Sequence, residues 1–143
     1  MAEKDIVLNE EQIKALGWLM KDDQNVAVTR LLNCFSCKQA LINLNGRDVW
    51  AFLNGGKKLT YKTATIKKAR KKEVEKSGLL CDEFQNAKKC LINIEGGYTM
   101  TLLDIDTMVR PIHKFYENAD VIFGTSLNEY KENEFQIDLF ILE

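Results

Sequence analysis

The segment from Lys89 to Gly124 constrains the fold more than any other part of this 143-residue chain. Residues 90, 92 and 94 alternate with 91 and 93, and the run is rich in β-branching, which predicts a half- or fully buried strand. Gly96-Gly97 interrupts the run and predicts a tight turn in which glycine adopts a positive φ. A second extended run begins at Val121, after a helical pattern. A strand–helix–strand unit with short links predicts a right-handed crossover between parallel strands.

The helix inside this unit has a clear beginning. Thr101 followed by Asp104 is typical of a capping box, in which each side chain accepts a hydrogen bond from a backbone amide of the first turn. Asn118 is predicted to close the helix. Pro111 lies inside it and removes one backbone donor, so we expect a kink between Met108 and Ile112. Apolar residues recur at helical spacing and predict one buried stripe: Ile105, Met108, Val109, Ile112, Phe115 and Tyr116.

Composition limits the class of protein. The chain is 45% hydrophobic and 29% charged, as expected for one soluble globular domain. A formal net charge of −1 gives no global attraction to nucleic acid or membranes. No apolar run approaches the ~18 residues of a membrane helix, and residues 1–5 lack the apolar core of a signal peptide. A cytoplasmic protein with reduced cysteines is therefore expected.

Cysteine and histidine give little support for a metal or redox site. Cys34 and Cys37 form a C-x-x-C pair, which is compatible with half of a zinc site or a redox pair. Neither Cys81 nor Cys90 supplies a second half at metal-ligand spacing. The pair also falls on a helical pattern, so we favour buried, inert thiols. With His113 as the only histidine, we expect neither a metal centre nor a histidine-based triad.

The remaining patterns predict an α+β fold, with helices packed on a four-stranded mixed sheet. Two helices are expected within residues 1–40, and a short helix is expected from Asp48 to Leu53. Lys58–Ile66 alternates as a strand with a solvated face. Alternating apolar residues from Phe135 to Ile141 predict a final strand, which we expect to form a hairpin with Val121–Ser126.

A basic segment separates the first predicted strand from the central unit. Residues 57–76 contain nine Lys and Arg residues against two Glu residues. Residues 67–77 are predicted to be helical, and they could present cations to nucleic acid or an anionic surface. The alternative is a solvated helix face. We favour that alternative because aromatic interleaving and a recognition motif are both missing. The cations of a possible anion contact are Lys67, Lys68, Arg70, Lys71 and Lys72.

Taken together, the order of parts resembles the C-terminal domain of FtsZ, the tubulin-like GTPase of bacterial cell division. The resemblance spans about residues 41–141, with residues 1–40 as a preceding helical segment and 41–143 as the domain. The short motifs are weak singly and fairly specific as a colinear series. They are Leu41-Ile42-Asn43-Leu44-Asn45 with Asp48-Val49, Ser77-Gly78-Leu79-Leu80, Ala87–Ile94 with Gly96-Gly97, and Ile122-Phe123-Gly124.

The resemblance implies a function divided between two subunits. In the family, an N-terminal domain with a glycine-rich loop holds GTP. A loop of pattern Asn-x-Asp-x-x-Asp then reaches the nucleotide of the next subunit, where its acidic residues position and polarise the attacking water. The matching positions here are Asn43, Asn45 and Asp48. Filament assembly and hydrolysis are coupled through this contact.

Two departures qualify this implication. The sequence has no glycine-rich phosphate loop, so we expect no cofactor in this chain and GTP only in a partner subunit or a missing domain. Asn45 replaces an acidic residue, and a neutral amide orients a water without helping to remove its proton. Asp48 equally suits the N-cap of the helix that follows it.

Three hypotheses therefore stay open. The favoured one is an assembly and interaction module without its own GTPase, which meets an FtsZ-like protein or another copy of itself through the 43–48 loop. The second is a fragment of a longer GTPase that stimulates hydrolysis in the adjacent protomer. The third is binding of an anionic polymer through residues 67–76. We expect no membrane span in this chain, and we do not expect nucleic acid as its partner.

Overall fold

The computed structural model describes Phe52, residues 59–84 and residues 86–143. Within these residues, four strands form one sheet of order β1-β4-β2-β3. Two α-helices and two 3₁₀ turns connect the strands. The elements are β1 (Leu59–Ile66), α1 (Lys71–Glu75), a 3₁₀ turn (Asp82–Phe84), β2 (Lys89–Gly96), α2 (Leu102–Phe115), β3 (Asp120–Leu127), a second 3₁₀ turn (Glu129–Lys131) and β4 (Phe135–Leu142).

The predicted strand–helix–strand unit is confirmed. β2 and β3 are parallel, in register from Lys89 opposite Asp120 to Gly96 opposite Leu127. The capping box at the start of α2 is complete, because Thr101 and Asp104 each accept the other's backbone N–H. A cap of this kind stabilises a helix by about 1 kcal/mol. α2 continues through Pro111 to Phe115, three residues short of the predicted end, and a kink at the proline stays a prediction.

The hairpin predicted between β3 and the last strand is wrong. β4 lies between β1 and β2 and is antiparallel to both. Its residues Ile137–Leu142 are all buried, on both faces of the sheet. A strand without a solvated face is stabilised most in the middle of a sheet, where both of its edges are also paired. Burial therefore outweighed the short connection from β3.

Both faces of the sheet contribute to the core. On one face, Ile137, Leu139 and Ile141 of β4 pack in the same cluster as the apolar stripe of α2. Strand periodicity directs Phe140 and Leu142 to the opposite face, where Leu142 lies opposite a buried Leu59. The α2 side matches the stripe predicted from sequence, whereas the sequence left burial of the second face open for the strand at 90–94.

The glycine pair after β2 has a different role from the predicted one. Gly78 is the only glycine with positive φ in the described ranges, so Gly96 and Gly97 do not need glycine for their φ angles. They need it for space. A Cβ atom on Gly97 would lie 2.8 Å from the Cα of Glu132, and one on Gly96 would lie 2.6 Å from Sδ of Met100.

The basic segment is less helical than predicted. The expected helix over 67–77 is reduced to the five residues of α1, anchored by the buried Val74. Arg70 occupies the N-cap position without a side-chain cap hydrogen bond. The predicted N-terminal helices of residues 1–40 lie outside the described residues. Of the helix predicted to begin at Asp48, only Phe52 is described, and it is helical and buried.

Replacing Gly97 by Ala tests the close-packing explanation. We expect a loss of about 1–3 kcal/mol in the free energy of unfolding, because the new methyl group meets backbone that cannot move aside. Gly96→Ala is the matched control, since its closest contact is the flexible end of Met100. Urea denaturation of both variants measures the difference, and an equal or larger loss for Gly96→Ala would contradict the explanation.

Candidate functional site

Three connecting segments meet at one end of the sheet, which we call the loop end. Ile66, at the end of β1, lies opposite Phe135, at the start of β4. Gly96 and Leu127, which end β2 and β3, are partners at the same end. Residues 67–70, 97–101 and 128–134 therefore leave or enter the sheet together. Strand direction alone brings the basic segment next to loops that are distant in sequence.

The basic segment of the loop end is a solvated, cationic surface. Lys67, Lys68, Arg70, Lys71 and Lys72 are all exposed, as the sequence predicted. Residues 67–76 contain six cations and two Glu residues, and the described part of the chain provides no carboxylate within salt-bridge distance of these cations. This local excess of positive charge contrasts with the net charge of −1 for the whole chain.

The other two loops of the loop end are joined by an acidic side chain. Glu132 accepts hydrogen bonds from the backbone N–H of Tyr98, at 2.8 Å, and from the hydroxyl of Thr99, at 3.3 Å. Asn128 caps the neighbouring 3₁₀ turn by accepting from the N–H of Tyr130 at 3.0 Å. These contacts fix the relative position of the loops.

Large apolar side chains are exposed on and near these loops, and the sequence reasoning missed them. Tyr98 is 53% exposed and Tyr130 is 84% exposed. In the first turn of α2, Leu102 and Leu103 are 63% and 72% exposed. For Leu103 the detectable signal was its position off the helical stripe, whereas Leu102 falls on the stripe by spacing and gave no such signal. Exposed apolar side chains are common on folded proteins, and only a contiguous patch of them would indicate a contact surface.

A buried carboxylate lies inside β4, and it too was missed. Asp138 has no exposed surface, and its Oδ1 accepts from the hydroxyl groups of Tyr61, at 2.8 Å, and Thr63, at 2.9 Å. The side-chain amide of Gln136 donates to the same oxygen at 3.2 Å. An Asp between Ile137 and Leu139, within a mostly apolar strand, was the available sequence signal. Satisfied donors offset the cost of removing such a group from water.

The polar row continues across the sheet. Asn93 lies opposite Asp138 in β2 and is also buried. Its Nδ2 donates to the hydroxyl oxygen of Ser126, in β3, at 3.3 Å. This row runs across the face opposite α2, where the strands otherwise bury apolar residues. The hydrogen bonds of this row orient the strands. Its buried groups, Asn93 and Asp138, are not accessible for a reaction.

Two ionisable groups near the C-terminus of α2 are perturbed by burial. Burial raises the pKa of the Cys90 thiol to about 12, so this thiol stays protonated and unreactive. Burial also raises the pKa of Tyr116, against an opposing hydrogen bond from the backbone N–H of Cys81. The Tyr116 hydroxyl in turn donates to the carbonyl of Leu79 at 2.6 Å. Both groups therefore serve packing.

The predicted loop residues Asn43, Asn45 and Asp48 lie outside the described residues, as do Cys34 and Cys37. His113 is exposed on α2. No group of three or more potential metal ligands occurs within the ranges that the structure describes. The described part of the chain thus brings together a cationic segment and exposed apolar groups at the loop end, without a catalytic cluster.

Comparison with known proteins decides the relationship. The model of the C-terminal domain of the FtsZ family matches residues 53–142. The chain belongs to the FtsZ family. It is 28% identical over 130 residues to the cell division protein FtsZ of Rickettsia conorii, and equally to that of Rickettsia felis. These alignments cover 85% of this chain and 29% of each relative, so the chain spans less than a third of their length.

Solved structures agree with the FtsZ fold. An FtsZ dimer from M. jannaschii matches with a TM-score of 0.65 and 26% identity, over 84% of this chain and 38% of that one. A mutant FtsZ from the same organism matches with a TM-score of 0.71 and 24% identity, over 97% of this chain and 42% of that one. TubZ-Bt, in a helical model of a four-stranded filament, matches with a TM-score of 0.59 and 11% identity, over 83% of this chain and 33% of that one. The last two likenesses show the fold alone.

The described helices were also compared with the requirements of a membrane span. None of them combines the length and the apolar character needed to cross a bilayer.

Removing the Asp138 carboxylate tests its part in the FtsZ-like sheet. We expect Asp138→Ala to lower the free energy of unfolding by about 1.5–3 kcal/mol, because Tyr61, Thr63 and Gln136 lose the charged acceptor that they share. Tyr61→Phe removes one donor only and should cost about 1 kcal/mol. Urea denaturation of both variants makes the comparison. A loss for Asp138→Ala no greater than that for Tyr61→Phe would refute this role.

Proposed function

We propose that this chain is an assembly and interaction module of cell division in the cytoplasm, acting on an FtsZ-like filament. The supporting observation is the family match over residues 53–142, in a fold shared with an FtsZ dimer and a TubZ filament. Residues 41–143 would form the interacting domain and residues 1–40 a helical segment before it. The relatives are named as cell division proteins, which supports the same process for this chain.

The proposed contact is made by the 43–48 loop. In this hypothesis, Asn43, Asn45 and Asp48 face the nucleotide of a neighbouring subunit. GTP would be held by that subunit, since this sequence has no glycine-rich phosphate loop. Asp48 would orient and polarise the attacking water, whereas the Asn45 amide would only orient it. Contact through the loop would therefore support assembly more strongly than hydrolysis.

Replacing Asp48 by Ala separates these two effects. The full chain is mixed with an FtsZ that carries its own nucleotide domain, and GTP turnover and sedimentation are measured. We expect the parent chain to change both. Asp48→Ala should reduce any stimulated turnover by about 10²-fold, the scale of a lost acid–base group, while sedimentation is largely retained. Asn45→Asp should raise turnover by restoring a carboxylate.

The matched control is Asp82→Ala, which removes an exposed carboxylate from the 3₁₀ turn at Asp82–Phe84. It should leave turnover and sedimentation as they are with the parent chain. If the parent chain alters neither turnover nor sedimentation, the proposal fails. If Asp82→Ala changed turnover as much as Asp48→Ala does, the 43–48 loop would have no specific role in stimulating hydrolysis.

A related alternative is that the chain is part of a longer FtsZ-like GTPase and stimulates hydrolysis in the adjacent protomer. It is favoured by the limited share of each relative that the chain spans. The coding sequence upstream of Met1 distinguishes this alternative. A glycine-rich phosphate loop there would support it, and its absence would remove it.

Anion binding through residues 67–76 is a second candidate function. It is favoured by the six exposed or partly exposed cations that find no carboxylate partner in the described ranges. A partner of this kind would be an acidic polymer, and its binding would weaken steeply with salt because bound cations displace counterions from the polymer.

The triple variant Lys67→Ala/Lys68→Ala/Arg70→Ala tests this candidate with duplex DNA as the probe. If three phosphate contacts are lost, the slope of log affinity against log salt should become shallower by about 2.7. The control is Lys88→Ala/Arg110→Ala/Lys114→Ala, which removes three exposed cations elsewhere. Anion binding through residues 67–76 would be refuted if the parent chain did not bind DNA at low salt, or if both triple variants lost binding equally.

A further inference from the structure

Two exposed aromatic residues lie at the loop end, beside the cationic segment. Asn128 donates its backbone N–H to the carbonyl of Gly96 at 2.8 Å. Tyr98 and Tyr130 each lie two residues beyond this hydrogen bond, on the two loops that leave the sheet there. They are 53% and 84% exposed. The loop end therefore presents two aromatic side chains to a ligand, from loops that start at the same point.

Strand register sets the separation between the tyrosines and the cations. Gln136 of β4 lies opposite Thr65 on one side and opposite Glu95 on the other. Because neighbouring strands are about 4.8 Å apart, Thr65 and Glu95 are separated by about 10 Å. Lys68 is three positions beyond Thr65, and Tyr98 is three positions beyond Glu95. At about 3.4 Å per stacked nucleotide, a few nucleotides span this separation.

This arrangement removes the sequence argument against nucleic acid. Residues 67–77 contain no aromatic residue, and a solvated surface was favoured for that reason. The fold supplies the aromatic residues from two other loops. Proteins that bind single strands combine a cationic track for the phosphates with aromatic side chains on which the bases stack. The loop end contains both parts.

We propose that the loop end binds single-stranded nucleic acid, with the phosphates along Lys67, Lys68 and Arg70 and the bases stacked on Tyr98 and Tyr130. The inference rests on the second candidate function, anion binding through residues 67–76, and names the class of the polymer. Single strands are favoured over duplexes, because duplex bases stack on each other and must be unstacked before a tyrosine reaches their faces.

The carboxylates of the loop end orient the bound strand. Glu129, Glu132 and Glu134 all lie on the loop between β3 and β4, and Glu132 accepts from the backbone N–H of Tyr98 at 2.8 Å. Their negative charge repels phosphates from the side of the tyrosines and directs them toward residues 67–72. The bases tolerate this side, since their exocyclic amino groups donate to carboxylates.

Alanine substitution of the tyrosines tests the stacking. The probe is a fluorescent oligothymidine of about ten nucleotides, within the site sizes of single-strand binders, and it is titrated with the full chain at low salt. Tyr98→Ala and Tyr130→Ala should each raise the dissociation constant about tenfold, the scale of one lost base–aromatic stack. Tyr98→Phe and Tyr130→Phe keep the ring and should bind nearly as the parent does. Fluorescence anisotropy measures all four.

Leu103→Ala is the matched control for these variants. Leu103 is 72% exposed in the first turn of α2, and an aliphatic side chain offers no aromatic face to a base. Its removal should leave the dissociation constant unchanged. Urea denaturation confirms that each variant is folded, as expected for exposed side chains. Alanine variants of both tyrosines that bind as tightly as the parent, or an equal loss for Leu103→Ala, would overturn the inference.

Polyphosphate and duplex DNA separate this inference from the anion candidate. Polyphosphate carries charge without bases, so the tyrosine variants should bind it as the parent does. The triple variant Lys67→Ala/Lys68→Ala/Arg70→Ala should weaken binding of both polymers. With oligothymidine its slope of log affinity against log salt should become shallower by about 2.1, if three phosphate contacts are lost.

The two proposals fail in different ways. A parent chain that binds polyphosphate or duplex DNA as tightly as oligothymidine would overturn the inference and leave anion binding through residues 67–76 standing. A parent chain that binds none of the three polymers at low salt would overturn both. Neither result bears on the 43–48 contact, which is measured by GTP turnover and sedimentation with an FtsZ.

Discussion

The antiparallel pairing of β4 with both β1 and β2 is the interaction on which the rest of the structure depends. β4 joins β1 to the parallel β2–β3 pair, so the sheet is continuous only because the last strand lies in the middle. This position requires side chains that tolerate burial on both faces. The strand meets the requirement with apolar residues except at Gln136 and Asp138. The Asp138 carboxylate accepts from hydroxyl groups of β1 and from the Gln136 amide of β4 itself. Antiparallel pairing also sets strand direction, and direction decides which loops become neighbours.

The surfaces of the domain follow from that arrangement. Because β1, β2 and β3 end where β4 begins, the cationic segment and the loops carrying Tyr98 and Tyr130 share the loop end. β3 lies at the far edge of the described sheet, beside the flank of α2, where its residues 121–123 are partly exposed. The two surfaces differ in physical character: the first is cationic, whereas the second is apolar.

Sequence reasoning succeeded where the relevant interactions are local. The capping box at Thr101 and Asp104 involves residues three apart, and the stripe of α2 reflects the repeat of a single helix. The cations of residues 67–72 were correctly expected to be solvated, because clustered charge without partners stays in water. Even so, the helix predicted there was reduced to α1, since only Val74 anchors it. Whether Asn43, Asn45 and Asp48 form a catalytic contact stays a prediction, because they lie outside the described residues.

By itself, the sequence determined the β2–α2–β3 unit, the solvated basic segment and, through a colinear series of motifs, the FtsZ family. Only the tertiary structure decided that β4 lies between β1 and β2, that the buried Asp138 meets three hydrogen-bond donors, and that a glycine is required where residue 97 approaches Glu132. Each of these depends on residues that meet across the sheet, from strands or loops up to 83 positions apart, as for Leu59 opposite Leu142. Periodicity and capping report a residue's relation to its own element. They do not report which distant element supplies its neighbours.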